Sequence, residues 1–146
     1  MDELDGKIIS ILQTNGRSSN ARIARNVGVS EGTVRRRLKR LVEDAIISIV
    51  AIPDPSKIGY KSEALIGVQV EPDKIDQVAD SLAQLAPVYW VAMTTGAYDI
   101  FATVALSSAE ELGLFLRSKI GIIPGVRRTE TFVTLEVKKR NFGVLL

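Results

Sequence analysis

The chain has 146 residues, of which 46% are hydrophobic, so it can bury a core and is not a disordered protein. It contains no cysteine and no histidine, which excludes a disulfide framework, thiolate chemistry and the commonest general base and metal ligand. Residues 1–50 carry nine basic and six acidic residues, a balance of +3, whereas residues 51–146 carry ten and eleven, a balance of −1. This asymmetry predicts that a polyanion contacts the first third of the chain.

The composition also bears on catalysis and location. Without histidine or cysteine, catalysis would rest on Asp, Glu, Lys or Tyr, and no paired carboxylates converge. One predicted helix, which carries Ile75, Val78 and Leu82 on its apolar side, has three acids on its polar side, and these indicate a solvated face. The three acids are Asp73, Asp76 and Asp80. We therefore expect no enzyme, no metal and no cofactor. No basic-then-apolar leader and no apolar run near about 18 residues is visible, so we expect a soluble, cytoplasmic protein.

The first predicted helix carries apolar residues at helical spacing and acids at its front, where they complement the helix dipole. Its apolar residues are Leu4, Ile8, Ile11 and Leu12, and its acids are Asp2, Glu3 and Asp5. Asn15-Gly16 ends it. A second, short helix carries Ile23, Ala24 and Val27, with Ser18, Ser19 and Asn20 as N-cap candidates, and Gly28 ends it.

The third predicted helix is capped by Ser30 and crowds five cations into six positions. Its inward stripe is predicted at Val34, Leu38, Leu41 and Val42. The outward positions are Gly32, Thr33, Arg36, Lys39 and Arg40. Arg35 and Arg37 are predicted at the border between the inward stripe and the outward face. A helix that packs by one face and is cationic on the other suits a polyanion.

A short helix, a glycine turn and a second helix form the helix-turn-helix pattern, in which the second helix enters the major groove of DNA. The predicted DNA-binding residues are Ser30, Glu31, Gly32, Thr33, Arg35, Arg36, Arg37, Lys39 and Arg40. The alternative is a three-helix packing unit with a solvated basic face and no DNA.

Residues 49–52 are predicted to form a strand, and the proline- and glycine-rich stretch at 53–59 is typical of a linker. Three segments follow: a helix-turn-helix domain at 1–50, strand and linker at 51–62, and a second domain at 63–146. In that second domain the pattern strand, helix, proline, strand occurs twice. The predicted strands are residues 64–70, 88–93, 99–106 and 126–137.

The duplicated pattern predicts a ferredoxin-like βαββαβ sheet with both helices on one face. The predicted fold class is therefore α+β, with a winged-type helix-turn-helix three-helix domain before this sheet. On the third strand, Tyr98 and the even-numbered residues are predicted to face one way and Phe101 the other. Neither face of the sheet is convincingly polar, so the face without helices, the open face, must also be covered by other protein. A homodimer is the natural cover, with Phe101 and Phe132 at the dimer interface.

Residues 2–47 resemble the N-terminal domain of the leucine-responsive regulatory protein/AsnC (feast/famine) transcriptional regulators. The resemblance rests on Leu4-Asp5-Gly6-Lys7-Ile8, Leu12-Gln13, Gly16-Arg17, Ala24-Arg25, Val27-Gly28-Val29-Ser30, Val34, Arg36-Arg37-Leu38 and Ile46-Ile47. Gly96-Ala97-Tyr98-Asp99 resembles the Gly-x-Tyr-Asp turn of the C-terminal domain in this family. Two departures are Ala45, where the family usually has Gly, and Gly32, where larger polar residues are common.

The resemblance implies a free amino acid as effector, bound beside this turn at an interface of C-terminal domains, in a dimer that can assemble to an octamer. The implied lining is Thr94, Thr95, Gly96, Ala97, Tyr98 and Asp99, with Thr129 and Thr131 as further candidates. Asp99 could accept from the ammonium group, and backbone amides near Gly96 could hold the carboxylate. Alternatively, Gly96 only makes a hairpin and Asp99 accepts turn amides.

The sequence is compatible with three functions. The leading one is a sequence-specific transcriptional regulator that binds double-stranded DNA and is tuned by an amino acid. The second is an architectural DNA-wrapping protein without an effector. The third is an amino-acid-binding regulatory subunit of an enzyme, since ferredoxin-like sheets also serve that role.

Overall fold

The computed structural model describes residues 1–140 and 143–146, which divide into two compact units. The first unit comprises Met1–Ile52 and Arg140–Leu146, and the second comprises Pro53–Lys139. The division after Ile52 lies close to the boundary predicted at residue 50. Residues 140–146 differ from the prediction, because those that are described group with the first unit.

The first unit contains three helices, namely α1 (Glu3–Thr14), α2 (Asn20–Val27) and α3 (Glu31–Glu43). Each begins at a side chain that accepts a hydrogen bond from its own first turn. Asp2, Ser19 and Ser30 are these N-caps. Gly28 ends α2 in the left-handed conformation, with φ +74°. The predicted caps Ser19 and Ser30 and the predicted ends of α1 and α2 are thus confirmed, whereas the cap at Asp2 was not predicted.

One stripe from each helix forms the core of this unit. Its buried hydrophobic residues are Ile8, Ile9, Ile23, Ala24, Val34 and Leu41. The inward position predicted for Val42 was wrong, because its side chain is 45% exposed. Val34 and Leu41 are fully buried, so only part of the predicted stripe is covered.

The strand predicted at residues 49–52 was also wrong, because no described residue pairs with it and the segment forms no regular element. An extended segment without a partner strand gains no ladder hydrogen bonds. The three helices therefore carry no β wing among the described residues. Before this segment, α3 ends in a turn where the Ile46 N–H donates to the Leu41 carbonyl and the Ala45 N–H to the Val42 carbonyl.

Ala45 occupies the left-handed position of that turn, with φ +53°. A Cβ in this conformation costs roughly 1–2 kcal/mol. We expect Ala45→Gly to raise the free energy of unfolding by about 1 kcal/mol, since the larger entropy of glycine in the unfolded chain offsets part of the relief. Ala79→Gly inside a helix of the second unit should lower it by about 1 kcal/mol. Urea denaturation of both variants checks the opposite signs, and a destabilised Ala45→Gly chain would contradict the prediction.

The second unit contains four strands and two helices, in the order β1 (Ser62–Val70), α4 (Ile75–Ala83), β2 (Val88–Met93), β3 (Ile100–Leu106), α5 (Ala109–Phe115) and β4 (Val126–Val133). A π-helical turn, Leu116–Ile120, extends α5. The sheet order is β2-β3-β1-β4 with antiparallel pairs throughout. This is the predicted ferredoxin-like arrangement, and the predicted α+β fold class is confirmed.

Alternate residues of the central strands separate the two faces of this sheet. Ile66, Val68, Ile100 and Val104 are fully buried in a core that includes residues of α4 and α5. Phe101 pairs with Gly67, and Phe132 pairs with Leu65, so these residues lie on the opposite, open face. The last strand is shorter than the predicted 126–137, because its antiparallel partner β1 begins only at Ser62.

The predicted orientation of Tyr98 was wrong. Its ring contacts Phe101 and Phe132 on the open face, instead of following the even-numbered residues of β3. Tyr98 precedes β3 and lies in a turn, so strand alternation does not apply to it. Along the described ranges, no helix reaches the length and apolar content that crossing a membrane requires.

Candidate nucleic-acid interface and effector turn

A buried carboxylate attaches the cationic helix α3 to the start of α1. Asp5 is 0% exposed. One of its oxygens accepts from the Asp2 backbone N–H at 3.0 Å and from Arg40 Nη2 at 2.6 Å, and the other accepts from Arg37 Nη1 at 3.2 Å. Arg37 also donates to the carboxylate of Asp2. Two of the five cations in the basic run, Arg37 and Arg40, therefore bind acids at the start of α1.

The ionisation of this cluster follows from its hydrogen bonds. The Asp5 backbone N–H and then the Arg37 guanidinium hold the pKa of Asp2 at about 2, below the ordinary 3.8. Burial acts to raise the pKa of Asp5, but the Asp2 N–H, Arg37 and Arg40 outweigh it, and that pKa is lowered. The pKa of Arg37 is raised, chiefly by its bond to Asp2. Both acids are thus ionised at neutral pH.

The remaining cations of the run face solvent. Arg35 pairs with Glu31 at 2.8 Å and Lys39 with Glu43 at 3.6 Å, each one turn apart along α3. Such exposed pairs contribute little and exchange readily with another anion. Within residues 1–140 and 143–146, Arg36 makes no ion pair, and its side chain is exposed.

The first turn of α3 presents small polar groups. The Ser30 hydroxyl oxygen accepts from the Thr33 N–H at 3.2 Å and lies 2.9 Å from the Thr33 hydroxyl. Glu31 and Gly32 are exposed beside them. A Cβ built on Gly32 would meet nothing closer than the Ser30 hydroxyl at 4.0 Å, so this turn leaves open space next to the cations.

Sequence reasoning missed both the buried acid and the cations of the neighbouring helix. Asp5 lies three residues before Ile8 and four before Ile9, which are both buried. This helical spacing was the signal that could have predicted the burial of Asp5. Arg22 and Arg25 are exposed on α2, and Arg17 is exposed just before it. In a helix-turn-helix the first helix crosses the DNA backbone, which makes these cations phosphate-contact candidates.

The candidate effector turn, residues 94–99, joins β2 to β3. Its ends close through the Thr94 N–H, which donates to the Asp99 carbonyl at 2.9 Å, and the Thr94 hydroxyl, which donates to the Tyr98 carbonyl at 3.1 Å. Gly96 has φ +105°, a conformation that favours glycine. Residues 94–97 are exposed, whereas Tyr98 and Asp99 are half-buried.

Asp99 ties this turn to β1. Its N–H donates to the Val68 carbonyl at 3.0 Å, and its carboxylate accepts from the Val70 N–H at 2.8 Å. Gln69, which the sequence analysis did not single out, donates from its side-chain amide to the Ala97 carbonyl at 2.9 Å. One carboxylate oxygen of Asp99 is thus already engaged by the backbone.

The other two effector candidates lie across the sheet from Tyr98. Thr131 pairs with Ile66 and Thr129 with Val68, so both lie on the helix-facing side of β4. Tyr98 lies on the open side, where a Cβ built on Gly67 would come within 2.8 Å of two of its ring carbons. Gly67 therefore gives the ring room to lie against β1. Within one chain, the turn and the two threonines do not converge on a single face.

The open face of the sheet exposes a group of aromatic side chains. The Tyr98 ring centroid lies 5.4 Å from that of Phe101 and 6.2 Å from that of Phe132. Phe132 is 43% and Trp90 48% exposed. The Thr103 hydroxyl, on the same face, is the buried side-chain polar atom without a hydrogen-bond partner among the described residues.

Comparison with known proteins matches the two parts of the chain to two separate family domains. Residues 1–42 match the AsnC-type helix-turn-helix domain, and residues 60–145 match the domain described as PF0864 C-terminal dimeric alpha+beta barrel domain. An HTH-type transcriptional regulator of Pyrococcus furiosus is 45% identical over 144 residues, which cover 98% of this chain and 97% of that protein. The regulator FL11 of Pyrococcus horikoshii is 39% identical, over 95% of this chain and 92% of FL11.

Solved structures share the fold. Escherichia coli AsnC has a TM-score of 0.88 at 29% identity, covering 97% of each chain. A Neisseria meningitidis transcriptional regulator, solved as an L-Met complex, has a TM-score of 0.90 at 24% identity, covering 99% of this chain and 96% of that one. The fold and the basic helix define a helix-turn-helix transcriptional regulator. The chain belongs to the AsnC/Lrp family.

Proposed function

We propose that this regulator binds double-stranded DNA through the solvent-facing side of α3, and that a free amino acid bound at the effector turn modulates DNA binding or assembly. The observation that carries the DNA proposal is the pairing pattern of α3. Arg37 and Arg40 are held by Asp2 and Asp5 and set the rotation of the helix. Arg36 is left without an internal acid among the described residues, so it is the cation of α3 that is most available to DNA.

The surrounding residues support the same docking. Small side chains in the first turn of α3 let the backbone approach base edges, which the major groove presents as donors and acceptors. Arg35 and Lys39 can exchange their exposed glutamate partners for phosphates, and Arg22 and Arg25 of α2 can contact the backbone. Most of the affinity is then electrostatic and falls as salt is added.

Arg36→Ala is expected to weaken DNA binding by about 1–3 kcal/mol if Arg36 contacts a base edge, and to relax sequence preference at that position. If it contacts a phosphate instead, the log–log salt slope should fall by about 0.9. Fluorescence anisotropy with a selected operator and an unrelated duplex, at several salt concentrations, measures both quantities.

Arg117→Ala is the matched control, since Arg117 is an exposed cation of the second unit. It should leave affinity unchanged within about 0.5 kcal/mol. Unchanged affinity and preference in Arg36→Ala would refute this docking of α3. Equal affinity of the wild-type chain for unrelated duplexes would favour the architectural DNA-wrapping function.

The effector proposal rests on the chemistry of the turn. Exposed backbone amides around Gly96 can donate to a carboxylate, and the carboxylate of Asp99 can accept from an ammonium group while one oxygen keeps its bond to Val70. The Neisseria meningitidis regulator with the same fold is an L-Met complex, and we extend a ligand of that class to this chain. Because Thr129 and Thr131 lie on the other face, we propose that they reach a ligand only from a second chain.

Asp99→Asn is expected to weaken any amino-acid response at least about tenfold, because it removes the charge that pairs with the ammonium group. Asparagine keeps an oxygen that accepts from the Val70 N–H, so the fold should remain. Calorimetric titration with each free amino acid, on wild type and variant, measures the effect. Asp76→Asn, at an exposed acid of α4, is the control. Equal affinities in wild type and Asp99→Asn would remove Asp99 from the site, and no heat with any amino acid would contradict the effector proposal.

The dimer proposal rests on the open face of the sheet. Exposing a group of aromatic side chains to water is unfavourable, and neither helix of the second unit covers this face. The matched family domain is described as dimeric. We propose that a second copy covers Phe101 and Phe132 in a homodimer, which can assemble further to an octamer.

A further inference from the structure

An apolar groove lies within the first unit, between the C-terminal half of α1 and residues 46–52. It has a volume of about 850 Å³. Its aliphatic lining includes Ile9, Leu12, Ile46, Ile47, Ile49 and Val50. Residues 46–52 form neither helix nor strand, so no ladder of backbone hydrogen bonds holds them against α1. Such a segment needs other contacts to stay in place.

Residues 143–146 form one wall of this groove, and Gln13 of α1 binds them through their main chain. The side-chain amide of Gln13 donates to the Val144 carbonyl at 2.6 Å. Its carbonyl oxygen accepts from the Leu146 N–H at 3.1 Å. This two-point contact selects an extended backbone, as an adjoining strand would, and it does not depend on which side chains the segment carries.

The contact is open enough to be reversible. Val144 is 83% exposed, and Leu145 and Leu146 remain more exposed than buried. Gln13 is itself exposed, so water competes for both of its hydrogen bonds. A segment held in this way is ordered by a modest balance of apolar contact and hydrogen bonding, and it can leave the groove without unfolding the three helices.

We infer that residues 143–146 form a strap that closes over this groove and holds residues 46–52 against α1. Gln13 holds the main chain of the strap, and the strap completes the wall of the groove opposite residues 46–52. Opening of the strap exposes the aliphatic lining and frees residues 46–52, the stretch that leads into the second unit. The inference is independent of DNA and effector binding.

Disulfide trapping tests the docking, because the chain has no cysteine of its own. In Gly16→Cys/Val144→Cys, which keeps Gln13 and places both thiols on the lining of the groove, mild oxidation should link the two thiols within one chain at least about ten times faster than in a control pair. The control is Asn26→Cys/Val144→Cys, since Asn26 is exposed on α2 and does not line the groove. Non-reducing electrophoresis separates links within a chain from links between chains. Equal rates in the two pairs, or links only between chains, would overturn the proposal.

Hydrogen exchange tests the consequence in the full chain. Gln13→Ala and deletion of residues 143–146 should each speed exchange of the Ile46 and Ile47 amides, which donate to the Leu41 carbonyl, several-fold, and combining them should add little further, because both remove the same contact. Thr14→Ala is the matched control on the same helix, since its hydroxyl donates to the Ser10 carbonyl and not to the strap. Exchange of these two amides that is the same in wild type, Gln13→Ala and the deletion would overturn the proposal.

Discussion

Phe101→Glu is expected to dissociate the assembled protein into monomers. If a second copy covers the open face of the sheet, the new carboxylate would be buried there without a partner, which costs several kcal/mol. Phe101 lies on β3, and its ring contacts that of Tyr98 on the open face of the sheet. Sedimentation velocity at micromolar concentration measures the change in mass.

Two further variants make this result specific. Phe101→Leu keeps an apolar side chain of similar reach and should still assemble. Leu114→Glu adds the same charge at an exposed position of α5, and it should sediment as an assembly of at least two chains. Circular dichroism checks that each variant is folded. A wild-type chain that is monomeric at micromolar concentration, or a Phe101→Glu chain that assembles normally, would contradict the dimer proposal.

Asp5→Asn is expected to lower the free energy of unfolding by about 2–3 kcal/mol. Asp5 is fully buried and accepts charged hydrogen bonds from Arg37 and Arg40, and bonds to charged groups contribute more than neutral ones. Asparagine has nearly the same shape but no charge, so the change isolates the electrostatic part. Glu3→Gln on the same turn is the control; its pair with Lys7 is exposed and should contribute under about 1 kcal/mol.

The pH dependence provides a second check on this cluster. The pKa values of Asp2 and Asp5 are lowered in the folded chain, so on acidification the unfolded chain binds protons first. The stabilisation is therefore complete above about pH 4 and is lost as the pH falls toward 2, the pKa of Asp2. The difference in stability between wild type and Asp5→Asn should shrink as the pH falls below about 4, because the pKa of Asp5 is lowered in the folded chain and the unfolded chain is protonated first. A difference that is constant from pH 7 to 2 would contradict the role of Asp5 as an ionised partner.

The local signals in the sequence were reliable because their causes are local. An N-cap such as Ser30 needs only a backbone amide three residues away, and it was predicted correctly. Gly28 ends α2 because few other residues adopt its positive φ without strain. The alternation in β3 likewise placed Phe101 and Ile100 on opposite faces of the sheet, since period two is a property of any strand.

The errors occur where the outcome depends on a distant contact. Arg40 points outward on a helical wheel, yet its guanidinium reaches Asp5, which is 35 residues earlier in the chain. Residues 49–52 have the composition of a strand but find no partner strand among the described residues. Tyr98 crosses to the open face because Gly67, on another strand, leaves room for its ring. No pattern within a window of ten or fifteen residues contains these facts.

By itself, the sequence determined the two-part architecture, the helix-turn-helix, the βαββαβ order and the cationic character of α3. These depend on periodicity, capping and turn chemistry, which act over one or two turns of chain. Only the tertiary structure decided which cations of α3 are held by acids, how Asp99 divides its oxygens between the backbone and solvent, and that residues 143–146 contact Gln13. Each of these depends on groups that are far apart in sequence and meet only when the chain has folded.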